Sequence, residues 1–312
     1  MKLLVGCLCL LISFASLSEE KTPTDKALPK ADFLQNRLNT MMQNTASWLD
    51  NIGDDTSGAN SIDNNSKYND AASANGYLQL SWLPRTSDLD NTDVNFKVAL
   101  NLPQWNERLA LVIDNDDEDE LLLDYESNYL DSNQDGINVA FQYIKQFSHK
   151  RQVKNRVGVS RKQLYLRSEI QYNWQIKQVK LNFQPRLDYF LQDGWGPSVK
   201  AVAIYPLEES YFSLSATWQK VQSEARSRRK IGFYHIKPIG KNQLLVSGVQ
   251  YIKSNNKEDI SNESYYVSTR YRNLIYKSWM YFEVEPFIEF NQLNNFRREA
   301  GIAFSLISYY GD

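Results

Sequence analysis

The chain has 312 residues, a formal net charge of −2, 42% hydrophobic residues and 13% aromatic ones, with 19 tyrosines. It offers no global basic surface for nucleic acid, and no stretch beyond the N-terminus approaches the roughly 18 unbroken apolar residues that a membrane-spanning helix requires. Both cysteines, Cys7 and Cys9, lie in the first ten residues, so the rest of the chain has neither disulfide nor thiol chemistry.

Met1-Lys2, the apolar run Leu3 to Phe14 and the small residues Ser16-Leu17-Ser18 read as a secretory signal peptide over 1–18. Leu4-Val5-Gly6-Cys7 looks like a lipobox, but cleavage there would leave too short an apolar region, and the match is read as accidental. Residues 19–75 form a periplasmic lead-in. Phe33, Leu34, Leu38, Met41, Met42, Trp48, Leu49 and Ile52 fall near helical spacing and predict a short amphipathic helix over 31–52. A linker rich in Asp, Asn, Ser and Gly follows, from Gly53 to Asn75.

From residue 76 to 312 apolar and polar residues alternate between polar turns. The pattern predicts strands at 76–83, 93–102, 107–114, 136–147, 151–160, 163–175, 178–190, 197–206, 209–221, 229–237, 242–253, 263–273, 277–290 and 297–309. Strand residues alternate sides with period two. Leu164, Leu166, Ile170, Tyr172 and Trp174 therefore share one face, and Tyr165, Arg167, Glu169 and Gln171 the other. Val179, Leu181, Phe183, Leu187 and Tyr189 likewise oppose Lys180, Gln184, Arg186 and Asp188. One face suits lipid and the other water, and in hydrocarbon only closure satisfies the edge hydrogen bonds.

The expected fold is all-β: an antiparallel up-and-down transmembrane barrel of about fourteen strands. Twelve is the alternative if Arg161-Lys162 is not a turn. Short links after strands two, four, eight and ten, and longer loops after one, three, seven, nine and eleven, place both termini on the periplasmic side. Phe183-Gln184-Pro185-Arg186-Leu187-Asp188-Tyr189 echoes Val284-Glu285-Pro286-Phe287-Ile288-Glu289-Phe290, and each proline is expected to mark a bulge.

The leader, the alternating strands and the last segment, Arg297 to Tyr310, together resemble Gram-negative outer-membrane β-barrel proteins. The resemblance covers about three quarters of the chain and names no narrower family. It implies outer-membrane lipid as surroundings and the barrel-assembly machinery as a partner in biogenesis, through a last strand ending near an aromatic. Here Gly311-Asp312 follow Tyr310.

Barrel hydrolases use histidine with serine or aspartate. The two histidines here, His149 in a turn and His235 pointing outward, are read as structural, so no catalytic residue, cofactor or metal site is assigned. The acidic run Asp114 to Glu120 lacks EF-hand spacing and reads as an external loop rather than a Ca²⁺ site. The candidate site is a charge cluster in the lumen: Glu283, Glu285 and Glu289 facing Arg270 and Arg272, joined by Arg297 or Glu299. The plainer reading is a salt-bridge network that stiffens the wall; the functional one is a constriction that selects solutes. The expected function is a monomeric channel or solute-passage protein. The alternatives are a non-transporting envelope scaffold and, behind it, a hydrolase.

Overall fold

A computed structural model describes residues 73–102, 109–115, 136–148, 150–160, 163–240, 242–255 and 261–311. The leader, the lipobox, helix 31–52, His149 and residues 116–120 of the acidic run lie outside these. The described chain forms fourteen strands: β1 (Ser73–Trp82), β2 (Thr92–Asn101), β3 (Leu109–Asp114), β4 (Asn138–Ser148), β5 (Arg151–Ser160), β6 (Gln163–Ile176), β7 (Val179–Phe190), β8 (Gly194–Pro206), β9 (Tyr211–Gln219), β10 (Arg228–Gly240), β11 (Gln243–Asn255), β12 (Ser261–Tyr276), β13 (Met280–Asn291) and β14 (Arg298–Tyr310). Each pairs antiparallel with its sequence neighbours, and β1 pairs with β14 to close the barrel. Closure leaves no sheet edge with unpaired backbone groups. The alternative count of twelve fails because β5 and β6 pair from Ser160↔Gln163 onward, so residues 161–162 are the connection.

The β1–β14 seam runs from Gly76↔Tyr310 to Trp82↔Phe304. Two features lock it. Ser81 and Ser305 share a buried Oγ–Oγ hydrogen bond of 2.8 Å, and the Tyr310 hydroxyl donates to the Lys97 carbonyl on β2. To reach β2 the Tyr310 ring crosses Gly76, where a Cβ would come within 2.3 Å of the hydroxyl. Only glycine permits that approach.

Burial is the reverse of a soluble protein's. Leu80, Phe141, Val157, Leu164, Leu166, Leu214, Phe233, Val249, Val267 and Ile302 are exposed, while Arg156, Arg167, Glu169, Arg186, Asp188, Lys200, Arg270, Glu283 and Glu285 are buried. The apolar residues have the outward parity of their strands and the charged ones the inward parity. Outward-facing rings gather toward both rims. Tyr189–Trp195 (4.9 Å) and Tyr251–Tyr265 (5.3 Å) lie at the end opposite the termini, and Tyr172–Trp174 (5.5 Å) at the end that carries them. These are the two girdles of a transmembrane barrel.

Three details differ from the sequence reading. The prolines do not mark bulges. The β6–β7 register is the same on both sides of Pro185, from Glu169↔Arg186 to Tyr172↔Phe183, and the β12–β13 register likewise across Pro286, from Ser268↔Phe287 to Tyr271↔Val284. In each hairpin the ladder omits the pairs around the proline, which lacks an N–H to donate, and keeps its register. The bulges lie instead beside turns at the end that carries the termini, between Gln146 and Ser148, Pro238 and Gly240, and Leu274 and Tyr276. The β7–β8 connection is short, residues 191–193 rather than a long loop. Gly194 takes the turn conformation with φ 77°, and Trp195 to Pro197 already belong to the strand. Likewise Pro238–Lys241 is not the link it was read as, since β10 continues through Pro238 to Gly240.

Candidate functional site

The inner wall carries two concentrations of charge. The first lies on β12 and β13. Inward parity puts Tyr266, Arg270 and Arg272 beside Glu283, Glu285, Phe287 and Glu289. Arg270 Nε donates to Glu285 Oε2 at 2.8 Å and stands 3.9 Å from Glu283 Oε2. Arg272 Nε donates to the other oxygen of Glu283, and the Tyr266 hydroxyl donates to Glu285 Oε1 at 3.3 Å. Hydrogen bonds to a charged partner are the stronger kind, and buried charges persist only when so compensated.

Five of the seven residues named from sequence thus form or border one network: Arg270, Arg272, Glu283, Glu285 and Glu289. Glu299 is also buried in the wall, opposite Glu289 in the β13–β14 register. Arg297 does not join. It is exposed in the connection before β14, whose first residue is Arg298. The short 3-10 turn Gln292–Asn294 and the left-handed Asn295 and Phe296 (φ 53° and 54°) carry the chain around that rim. Arg297 lines an open rim pocket of about 450 Å³ with Thr86, Ser87 and Asn294.

Sequence reasoning missed the partner of Glu289. Past the end of β1 the chain continues along β14: Arg85 bridges Gly301, the Ile302 N–H donates to the Pro84 carbonyl at 3.1 Å, and the Thr86 N–H to the Ala300 carbonyl at 3.0 Å. This extension aims Arg85 inward. Its Nη1 donates to Glu289 Oε2 at 3.0 Å, and its guanidinium lies 5.4 Å from the Phe287 ring centroid. Ser87 Oγ donates to Glu299 Oε1.

The second concentration lies on β3–β8. Asp188, fully buried, is gripped from two sides, by Arg167 Nε at 2.7 Å and Arg186 Nε at 3.1 Å. Glu169 stands opposite Arg186 in the β6–β7 register, and Lys200 opposite Gln184. Toward β3, Arg156 Nε donates to Gln142 Oε1 at 2.6 Å and Nη1 stands 3.9 Å from Asp114 Oδ2. Asn138 Nδ2 donates to Asp114 Oδ1 at 3.0 Å. Asp114, read from sequence as the start of an acidic loop, is therefore a wall residue with its carboxylate engaged.

The two walls differ in sign. On β12–β14, with Arg85, three cations meet four carboxylates: Arg85, Arg270 and Arg272 against Glu283, Glu285, Glu289 and Glu299. On β3–β8 six inward-facing cations meet three carboxylates among the described residues: Lys154, Arg156, Arg167, Lys180, Arg186 and Lys200 against Asp114, Glu169 and Asp188. Hairpins β6–β7 and β12–β13 are six strands apart in a ring of fourteen, so these walls face each other across the lumen. His235 is not part of either. It points outward on β10, 5.0 Å from the Phe212 ring.

No family model matches the chain, and no curated protein matches it. Solved structures do. OmpTΔL8, a loop-deletion mutant of OmpT, an outer membrane protein of Vibrio cholerae, superposes with a TM-score of 0.52 at 10% identity over 77% of this chain and 100% of that one. Pseudomonas aeruginosa OprD (TM-score 0.46, 6% identity, 77% and 95% of the two chains) and OccK11 (0.45, 8%, 77% and 96%) are also similar. At these identities the likeness is one of fold. With a closed ring of fourteen antiparallel strands, an apolar exterior and a charged interior, the chain has the fold of a Gram-negative outer-membrane β-barrel.

Proposed function

We propose that this barrel is a passage for small charged solutes, not an enzyme, and that it sits in the membrane as a monomer with both termini in the periplasm. The observation that carries this reading is the pair of oppositely biased walls across one lumen. A fourteen-strand barrel encloses more space than the side chains of an eight-strand barrel can fill, and charges lining such a space act on permeating ions at close range in a low-dielectric surround. The alternation of link lengths supports the orientation: the end opposite the termini has the longest connections, 83–91, 115–137 and 220–227.

One observation favours a second reading, a closed barrel serving as an envelope scaffold. The inner charges pair with one another and are shielded: Arg186, Glu169, Lys200 and Glu283 are each no more than 3% exposed. Planar-bilayer recording of the full-length protein separates the two. A passage gives discrete conductance steps whose ion selectivity shifts toward cations in Arg270→Gln and toward anions in Glu285→Gln. A silent bilayer, with the barrel folded by circular dichroism and heat-dependent gel mobility, overturns the passage and leaves the scaffold.

A further inference from the structure

The outward face carries charge only near strand ends among the described residues, and at the end bearing the termini every such charge is positive: Lys145, Arg151 and Lys237. Lipid-facing charge is costly at the bilayer midplane and nearly free at the interface, so these residues fix where the hydrocarbon stops. Two of them are not isolated. Lys145 on β4 and Arg151 on β5 flank the β4–β5 bulge, in which Phe147 is the extra residue. The Lys145 ammonium and the Arg151 guanidinium each lie 5.0 Å from the Phe147 ring centroid, and Arg151 also stands 5.8 Å from that of Tyr172. Tyr172 stacks on Trp174, which stacks on Phe183 at 6.3 Å. Neither cation pairs with a carboxylate among the described residues. The local sequence explains why: residues 136–192 hold eleven Lys and Arg against two acids, Glu169 and Asp188, and both acids point into the lumen.

We infer that this aromatic-backed pair is a binding site for the headgroup of an anionic phospholipid in the leaflet that bathes this end of the barrel. Rings hold the two side chains at interfacial height, since a cation over a ring face is attracted to it. The cations' free sides are left toward the phosphodiester layer, and the exposed Phe147 and Trp174 beside them offer apolar surface to the acyl chains. Charge complementarity selects the occupant: a net-negative lipid gains from both cations, a zwitterionic one from neither in full. The inference rests on the outward face being the lipid face, not on whether the lumen conducts.

The test is native mass spectrometry of the full-length detergent-solubilised protein titrated with phosphatidylglycerol or phosphatidylcholine. The expected result is preferential retention of phosphatidylglycerol. Retention should weaken about fivefold in Lys145→Gln or Arg151→Gln and on the order of 20-fold in the double variant, while Lys237→Gln leaves it unchanged. Heat-dependent gel mobility verifies that each variant is folded, and Phe147→Leu, which keeps both charges, should weaken retention by a smaller factor. Equal retention of the two lipids, or undiminished retention by the folded double variant, overturns the inference. So does release of bound phosphatidylglycerol by millimolar inorganic phosphate, which marks a free-anion site instead.

Discussion

Glu289 and Glu299 stand directly opposite each other across the β13–β14 ladder, two buried carboxylates at one register position, each held by a different residue of the segment that follows β1. Arg85 takes Glu289 and Ser87 takes Glu299. Like charges directly opposite on a sheet are destabilising, so the extension of β1 along β14 neutralises a conflict within the wall itself. Replacing Arg85 with Gln leaves the two carboxylates facing one another. We expect a loss of about 1–3 kcal/mol in urea-induced unfolding from lipid bilayers, discounted because Arg85 retains some exposure. Arg85→Gln with Glu289→Gln should recover most of that loss. If the double variant is no more stable than the single one, the clamp is not what Arg85 does.

Asp188 is the counterpart on the opposite wall, a carboxylate of zero exposure between Arg167 and Arg186. Asp188→Asn removes the charge both guanidiniums compensate and leaves them as neighbours. Breaking a buried pair in this way costs about 3–5 kcal/mol. Arg167→Gln together with Asp188→Asn should cost less than the single change, since only Arg186 is then left without Asp188, and Glu169 stands opposite it in the register. Equilibrium unfolding of the three proteins decides the point; a single variant within about 1 kcal/mol of the parent shows that water, not the arginines, solvates Asp188.

How much of this was legible in the sequence follows from what is local. Parity is local: a two-residue period put Arg270, Arg272, Glu283 and Glu285 on one face, and the register then brought them together. Arg85 was illegible for the opposite reason. It lies beyond the end of β1 in a stretch with proline and no alternation, and its place is set by pairing with Gly301, more than two hundred residues away. Arg297 erred through a boundary. Asn295 and Phe296 adopt left-handed backbone, which for Phe no propensity suggests, and the strand starts one residue later than the alternation implies. Pro185 and Pro286 misled because a missing N–H was equated with a shifted register. A barrel strand has two neighbours, and here the opposite ladder runs unbroken through each proline, as Pro185↔Val199 and Pro286↔Ile302. The basic excess of residues 136–192 was legible and was hidden by the balanced net charge of the whole chain.

Val249 tests which side of the wall meets lipid. It sits near the middle of β11, exposed, between Phe233 on β10 and Val267 on β12. On a soluble protein an arginine there would be nearly neutral. Against hydrocarbon, Val249→Arg should cost about 2–4 kcal/mol. Its neighbour Gln250 is buried on the lumen side, and Gln250→Glu should have a smaller effect on insertion. Folding into bilayers of defined thickness, followed by gel mobility and unfolding, measures both. Equal tolerance at the two positions would mean that the exposed apolar belt does not face lipid.

Gly76 bears on closure. The Tyr310 ring passes over it to donate to the Lys97 carbonyl, tying the last strand across the first to the second. A Cβ at residue 76 would stand within 2.3 Å of the tyrosine hydroxyl and closer still to the Lys97 carbonyl oxygen. Gly76→Ala should therefore displace Tyr310 and cost about 1–3 kcal/mol, the usual penalty for overpacking. Tyr310→Phe keeps the ring, loses one hydrogen bond and should cost about 1 kcal/mol. In the Tyr310→Phe background the alanine should still be penalised, because ring and carbonyl remain in its way. Urea unfolding of the four proteins completes the cycle. If Gly76→Ala is neutral with Tyr310 intact, the ring does not cross the seam, and the seam rests on the β1–β14 ladder and the Ser81–Ser305 bond alone.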